Sequence, residues 1–235
     1  MISVCVAAFN GEKYIEEQIL SVLRNLDSQD EIIISDDGSS DRTRRIVDDL
    51  AEKDRRIRII DGPRKGLIKN FENAIVHSKG DIIFLCDQDD VWKDNKVKTV
   101  LDIFGNTDCT LVMHDACIVD SNLKILGCSF FEFKKCKKGY WRNLIKNSYI
   151  GCCMAFKRSI LDYAIPFPDN IPMHDQWIGL LSERVGKVEF CNEQLLLYRR
   201  HSNNASEMTH LPLGEMVKNR AIMLKCINKR IREKK

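Results

Sequence analysis

Apolar and polar positions follow two rhythms through the first half of the chain. Short apolar runs at Ile2 to Ala8, Glu31 to Ser35, Ile57 to Ile60 and Asp81 to Cys86 read as buried strands. Between them the apolar residues recur at helical spacing. Glu12 to Leu26 places Ile15, Ile19, Val22, Leu23 and Leu26 on one face, and Asp41 to Lys53, Gly66 to His77 and Asn95 to Phe104 repeat the pattern. Cys109 to Val119 supplies further extended chain. Strand and helix in alternation predict an α/β fold, a mostly parallel sheet flanked by crossover helices.

The second half is less regular. Cys152 to Phe156 reads as a strand, Ser159 to Ala164 as a short helix and Asp175 to Val185 as a longer one, while Lys187 to Phe190 and Leu195 to Arg199 look extended. A basic, aromatic segment from Phe130 to Trp141 has no clear period and is expected to be a mobile loop. Leu213 to Ile231 is an amphipathic basic helix. Its apolar side either packs on the domain or lies in an anionic membrane interface.

Length and composition narrow the classes. A chain of 235 residues, 44% hydrophobic and 30% charged, suits one globular domain, taken as residues 1–212, with the helix 213–235 appended. The net charge of +3 implies no nucleic-acid partner. Ten cysteines occur without C-x-x-C spacing and mostly in apolar surroundings, so buried free thiols and a cytoplasmic location are expected. No apolar stretch approaches the ~20 residues of a membrane span, so any membrane contact is expected to be peripheral, at the inner face.

The candidate chemistry lies in two acidic clusters. Ile32 to Ile34 runs into Ser35-Asp36-Asp37-Gly38-Ser39, and Ile82 to Cys86 runs into Asp87-Gln88-Asp89-Asp90. Each alone is an ordinary strand-to-helix turn. Two on successive βα units place carboxylates at strand C-termini, where open α/β sheets bind ligands, with oxygen donors for a hard cation.

The order of motifs resembles the family 2 glycosyltransferases of the GT-A fold, nearest the rhamnosyltransferase-like and polysaccharide-assembly branch. It runs through Phe9-Asn10-Gly11, Asp36-Asp37-Gly38-Ser39-Ser40-Asp41, Asp87-Gln88-Asp89-Asp90-Val91-Trp92, His174-Asp175 and Tyr198-Arg199-Arg200-His201. The resemblance implies a nucleotide-sugar-binding half, residues 1–105, and an acceptor half, residues 106–212. It implies an inverting enzyme that moves sugar from a UDP- or dTDP-sugar to a glycan or lipid-linked acceptor, using Mg²⁺ or Mn²⁺.

Carried over, Asp37 meets the pyrimidine, where a carboxylate accepts the imide N–H of uracil or thymine. Asp87 lies near the ribose, and Asp89 holds the metal with His201. Phe9 and Asn10 approach base and ribose; alternatively Phe9 is core and Asn10 a helix cap. Lys69 lies on the nucleotide side or is a solvated surface residue. Arg199 or His201 lies on the diphosphate, against the competing reading of a surface pair. Asp175 is the general base with His174 orienting it, and an Asp at that place also serves as a cap. The segment Asp87 to Val91 also fits the D-x-D-x-[TV] phrase of haloacid-dehalogenase-like phosphatases, and a non-catalytic sugar-nucleotide-binding subunit is the third reading.

Overall fold

The structure, a computed structural model, describes residues 1–201, 204 and 212–234. Strand β1 (Ile2–Ala8) is buried along its whole length, as its unbroken apolar run requires of a strand covered on both faces. Helix α1 (Ile15–Leu23) turns Ile15, Ile19 and Val22 inward. Two polar residues on that face are buried with partners. Gln18 Nε2 donates to Cys86 Sγ, and Ser21 Oγ accepts the Trp92 N–H at 2.9 Å. The chain continues through β2 (Glu31–Asp36), α2 (Thr43–Ala51), β3 (Ile57–Asp61), α3 (Leu67–Val76), β4 (Ile82–Asp87), the two-residue β5 (Val91–Trp92) and α4 (Lys96–Asn106).

The second half adds β6 (Leu111–Val119), β7 (Ile125–Gly127), α5 (Phe130–Lys134), α6 (Tyr140–Ile145), β8 (Met154–Lys157), α7 (Leu161–Ala164), α8 (His174–Val185), β9 (Val188–Arg199) and α9 (Leu213–Glu233). One sheet runs β3-β2-β1-β4-β8-β6-β9-β5, with β7 paired to β6. The block β3-β2-β1-β4 is parallel, as the alternating rhythm predicts. Beyond it β8 is antiparallel to both β4 and β6, while β6 and β9 pair in parallel over the sheet's longest ladder.

Three expectations need correction. The segment from Phe130 to Trp141 is not a loop: it contains α5 and the start of α6, both too short for a period to show. Phe130 and Phe131 are buried, Ser129 Oγ caps α5 by accepting the Glu132 N–H, and Asp115 accepts the Phe131 N–H at 2.8 Å. The two extended pieces near the end are one strand, β9, because β6 pairs with it on both sides of a register shift beside Asp115. Helix α1 is shorter than Glu12 to Leu26: residues 12–14 form a turn, and Leu23 is its last helical residue.

Helix α9 packs on the domain through Met223 and Ile227, both fully buried, and Arg230 donates to the carbonyls of Tyr163, Ile165 and Pro166. The expected docking of its apolar side on the protein holds for this stretch. Among the described residues no helix is long and apolar enough to cross a membrane.

Candidate active site

Strand β1 lies between β2 and β4, so the sheet's direction of growth reverses there, and open α/β sheets bind ligands outside the strand ends at such a point. Register brings the acidic clusters to it: Ala8 pairs with Asp36 and Ala7 with Asp87. A cleft of about 1140 Å³ opens above these ends. One wall carries Phe9, Asp37, Asp87 and Asp89, and the other carries Gly151, His174, Asp175 and Arg200.

The Phe9 ring is exposed on the cleft wall, which removes it from the core. Its backbone is clamped by Gln88, whose Oε1 accepts the Phe9 N–H at 2.8 Å and whose Nε2 donates to the Phe9 carbonyl at 3.0 Å. The clamp explains Gly11: a Cβ there would come within 2.4 Å of Gln88 Oε1. Asn10, at φ +50°, caps no helix. Its Oδ1 accepts the Ser40 N–H at 2.8 Å and its own N–H donates to Ser39 Oγ, tying the first loop to the second.

Asp37 accepts three backbone N–H groups, from Arg64 (2.6 Å), Lys65 (3.3 Å) and Gly66 (2.8 Å), and so shapes the loop before α3. Two carried-over residues stand elsewhere. Lys69 is not on the cleft: its ammonium pairs with Glu72 at 2.8 Å and Asp169 at 3.0 Å and donates to the Phe167 carbonyl. Arg199 is buried and fully engaged. Nε donates to the Asp89 carbonyl and Nη1 to the Ser121 carbonyl, both at 2.7 Å, Nη2 pairs with Glu17, and Tyr14 lies 4.5 Å from the guanidinium. It is a staple under the acidic loop, not a ligand for diphosphate.

Asp89 and His201 are brought together. Asp89 Oδ2 lies 2.9 Å from His201 Nε2 and 3.2 Å from Asn204 Nδ2, and the His201 ring stacks on Tyr14 at 4.9 Å. Burial raises the Asp89 carboxyl against the opposing pull of His201 and Arg199. Burial, then the charges of Asp89 and Asp175, push Asp87 up to about 7. Asp90 is fully buried and also raised well above the usual carboxyl range, by burial and then by the charges of Asp89 and Asp87, and it accepts the Arg199 N–H at 2.9 Å.

A carboxylate and an imidazole converging at the cleft edge fit a divalent cation whose remaining sites take diphosphate oxygens and water. A second group, Asp87, Asp90 and Cys152, also has its ligand atoms within 4.8 Å of one another. There burial holds the Cys152 thiol protonated, and the two carboxyls beside it raise it further. A protonated soft donor does not suit Mg²⁺ or Mn²⁺, so the Asp89–His201 pair is the better site.

His174 and Asp175 begin α8 on the opposite wall. His174 stacks on Phe71 at 4.2 Å, and burial lowers it to about 3, so the ring is neutral. Among the described residues neither ring nitrogen has a hydrogen-bond partner, and Gly151 leaves the ring room, since a Cβ there would sit 3.1 Å from Nε2. Asp175 is pushed up to about 7 by burial, opposed by the backbone N–H groups of Gln176 and Gly151 and by Asn147. Asn147, Gly151 and Tyr14 support the site, yet no local sequence motif marks them, and Gln88 counts in its motif only as a spacer. Only the fold places them there.

Comparison with known proteins agrees with this geometry. The family model "Glycosyl transferase family 2" matches residues 3–164. An uncharacterised glycosyltransferase of Nostoc is 28% identical over 86% of this chain and 66% of its own length. A UDP-Glc:α-D-GlcNAc-diphosphoundecaprenol β-1,3-glucosyltransferase of Escherichia coli is 27% identical over 78% of this chain and 70% of its own. Among solved structures, S. aureus TarS 1–349 in complex with UDP-GlcNAc superposes with a TM-score of 0.75 at 18% identity, over 95% of this chain and 66% of that one. The chain thus spans just under two thirds of the Nostoc and TarS chains. It belongs to glycosyltransferase family 2, and its fold is GT-A. Membership also displaces the phosphatase reading, which needs the D-x-D phrase on the first strand rather than on β4.

Proposed function

We propose that the protein is an inverting, metal-dependent glycosyltransferase that moves one sugar from a UDP- or dTDP-sugar to a hydroxyl of a glycan or lipid-linked acceptor in cell-surface polysaccharide assembly. The observation that carries this is the pairing of walls. The Asp89–His201 donor pair stands on the nucleotide side of the cleft and the buried carboxyl of Asp175 on the other, one position for a leaving group and one for a base. The E. coli relative's name supports a nucleoside-diphosphate sugar and a lipid-linked acceptor.

Asp37, with three N–H groups already accepted of the roughly four a carboxylate can take, keeps a place for a pyrimidine imide. Phe9 offers its exposed ring face to the nucleoside. Asp89 and His201 would hold a Mg²⁺ or Mn²⁺, which would supply positive charge to the departing diphosphate. Asp175 takes the proton of the acceptor hydroxyl, whose oxygen forms the new bond to the anomeric carbon while the bond from that carbon to the diphosphate oxygen breaks. Displacement from the face opposite the leaving group inverts the anomeric centre.

His174, stacked on Phe71 and lowered to about 3 by burial, is too weak a base to take the acceptor's proton and holds the start of α8 in place instead. Asp175→Asn tests the reading. Nucleotide binding by calorimetry is expected to persist while transfer falls by roughly 10²- to 10⁴-fold, the span of a lost general base. Full transfer by the variant contradicts it, and donor binding with neither transfer nor donor hydrolysis in the unaltered protein favours the non-catalytic subunit.

A further inference from the structure

The far end of the cleft opens among large apolar side chains that no part of the described protein covers. Leu126 after β6, Phe133 on α5 and Ile145 on α6 all line the cleft, and their relative exposures are 61%, 54% and 61%. Helical geometry extends the surface. Trp141, 64% exposed, precedes Ile145 by one turn of α6, and on α9 Leu213 and Val217 share a face with Met216 and Arg220, which also line the cleft. Arg220 fixes the two helices together by donating from Nε and Nη2 to the Ile145 carbonyl, at 2.9 and 2.6 Å. The apolar residues that α9 buries, Met223 and Ile227, lie two turns further along the same face, so the rim is the exposed N-terminal continuation of the stripe that docks on the domain.

Charge identifies the occupant. Residues 132–146 carry six cations against the single carboxylate of Glu132. Arg142 on α6, and Lys135 and Lys146 just past the ends of α5 and α6, are exposed in the same segment as Phe133, Trp141 and Ile145. Apolar tips with a Trp among them, set in a ring of lysine and arginine, match an anionic bilayer surface, where rings and aliphatic tips enter the headgroup boundary and cations meet lipid phosphate. A second copy of the chain is the wrong occupant, because a two-fold contact would set this basic strip against itself.

We propose that α5, α6 and the first turns of α9 form a docking surface for an anionic lipid bilayer, which places the acceptor end of the cleft at the membrane. This rests on the assignment of that end to the acceptor and narrows it: the acceptor is presented from the lipid surface rather than from solution. Shallow docking through short helices needs no membrane-spanning segment.

The test uses the full chain and vesicles of phosphatidylglycerol and phosphatidylcholine against phosphatidylcholine alone. Co-sedimentation with the anionic vesicles is expected, weakening as salt rises. Lys135→Ala/Lys146→Ala is expected to bind on the order of 30-fold more weakly, from the loss of two surface cations. Trp141→Ser is expected to weaken binding at every salt concentration. Nucleotide affinity, read by thermal shift on the same preparations, stays unchanged in both variants and reports their folding. Absence of vesicle binding by the unaltered chain, or equal binding by both variants, overturns the docking surface. Vesicle binding without nucleotide binding would instead sink the transferase reading and leave the surface standing.

Discussion

Asp37 ties loop structure to the proposed recognition of the base. Its Oδ1 accepts Arg64 and Lys65 and its Oδ2 accepts Gly66, so the loop before α3 is built on it. Asp37→Asn keeps one carbonyl oxygen for the Arg64 side and puts an NH₂ where an acceptor stood. The expected result is a weaker preference for UDP and dTDP over CDP, because an amide donor now faces the base's edge and cytosine offers an acceptor there. Competition binding measures it; an unchanged ranking of the three nucleotides refutes the role. At this scale Asp37, Asp87, Asp89 and Asp175, singled out in the sequence, line the cleft and His201 meets Asp89 at its edge, since each belongs to a compact motif at an element end. It misplaced Lys69 and Arg199, because a cation's sequence position says nothing about which carboxylates and carbonyls the fold will bring to it. Gln88 was legible only as the spacer of D-x-D, although its side chain fixes the Phe9 backbone from 79 positions away.

Elements translate these contacts into geometry, and β9 is the clearest case. It enters the sheet beside β6 and ends at Arg199, two residues before His201, so its last pairing sets where the imidazole meets Asp89. Arg199 locks that end from both sides, through its own N–H to Asp90 and through its guanidinium to the Asp89 and Ser121 carbonyls. Arg199→Met retains bulk but leaves two carbonyls without a donor, at about 1–3 kcal/mol each. The expected loss is roughly 2–5 kcal/mol by urea denaturation, with a matching loss of Mn²⁺-dependent nucleotide affinity as the His201 loop loosens. A stable variant with normal metal-dependent binding contradicts the staple. The continuity of β9 was hidden by its polar middle, Cys191-Asn192-Glu193-Gln194, which breaks the apolar run without breaking the pairing. Likewise α5 and α6 escaped notice because both are short and the lysines between them dominate the segment, while the residues that order it, Phe130, Phe131 and Asn143, face inward.

Across the whole molecule the cleft concentrates carboxyls that the fold alone does not neutralise. Asp87 and Asp175 are pushed up to about 7, and Asp89 and Asp90 are raised as well, burial leading in each. A carboxyl whose folded value exceeds its unfolded value of 3.8 holds its proton longer in the folded state. Its contribution is therefore full at low pH and is lost as pH rises from about 4 through the folded value near 7. The buried imidazoles His174, lowered to about 3, and His114, well below its usual value, act in the opposite sense, since the unfolded chain takes up their protons first below about 6.5. Between roughly 4 and 6.5 the two effects partly cancel, and from about 6.5 to 8 only the carboxyls remain. The metal-free protein is thus expected to lose stability across that upper window. Added Mn²⁺ with UDP restores it, and the gain is larger at pH 8 than at pH 6 because a coordinating carboxyl must first give up its proton. Urea unfolding at the two pH values, in chelator and then in Mn²⁺ with UDP, measures both terms. A flat profile in chelator would mean that the cleft carboxyls are solvated, and an equal gain at both pH values would mean that the cation is not held by them.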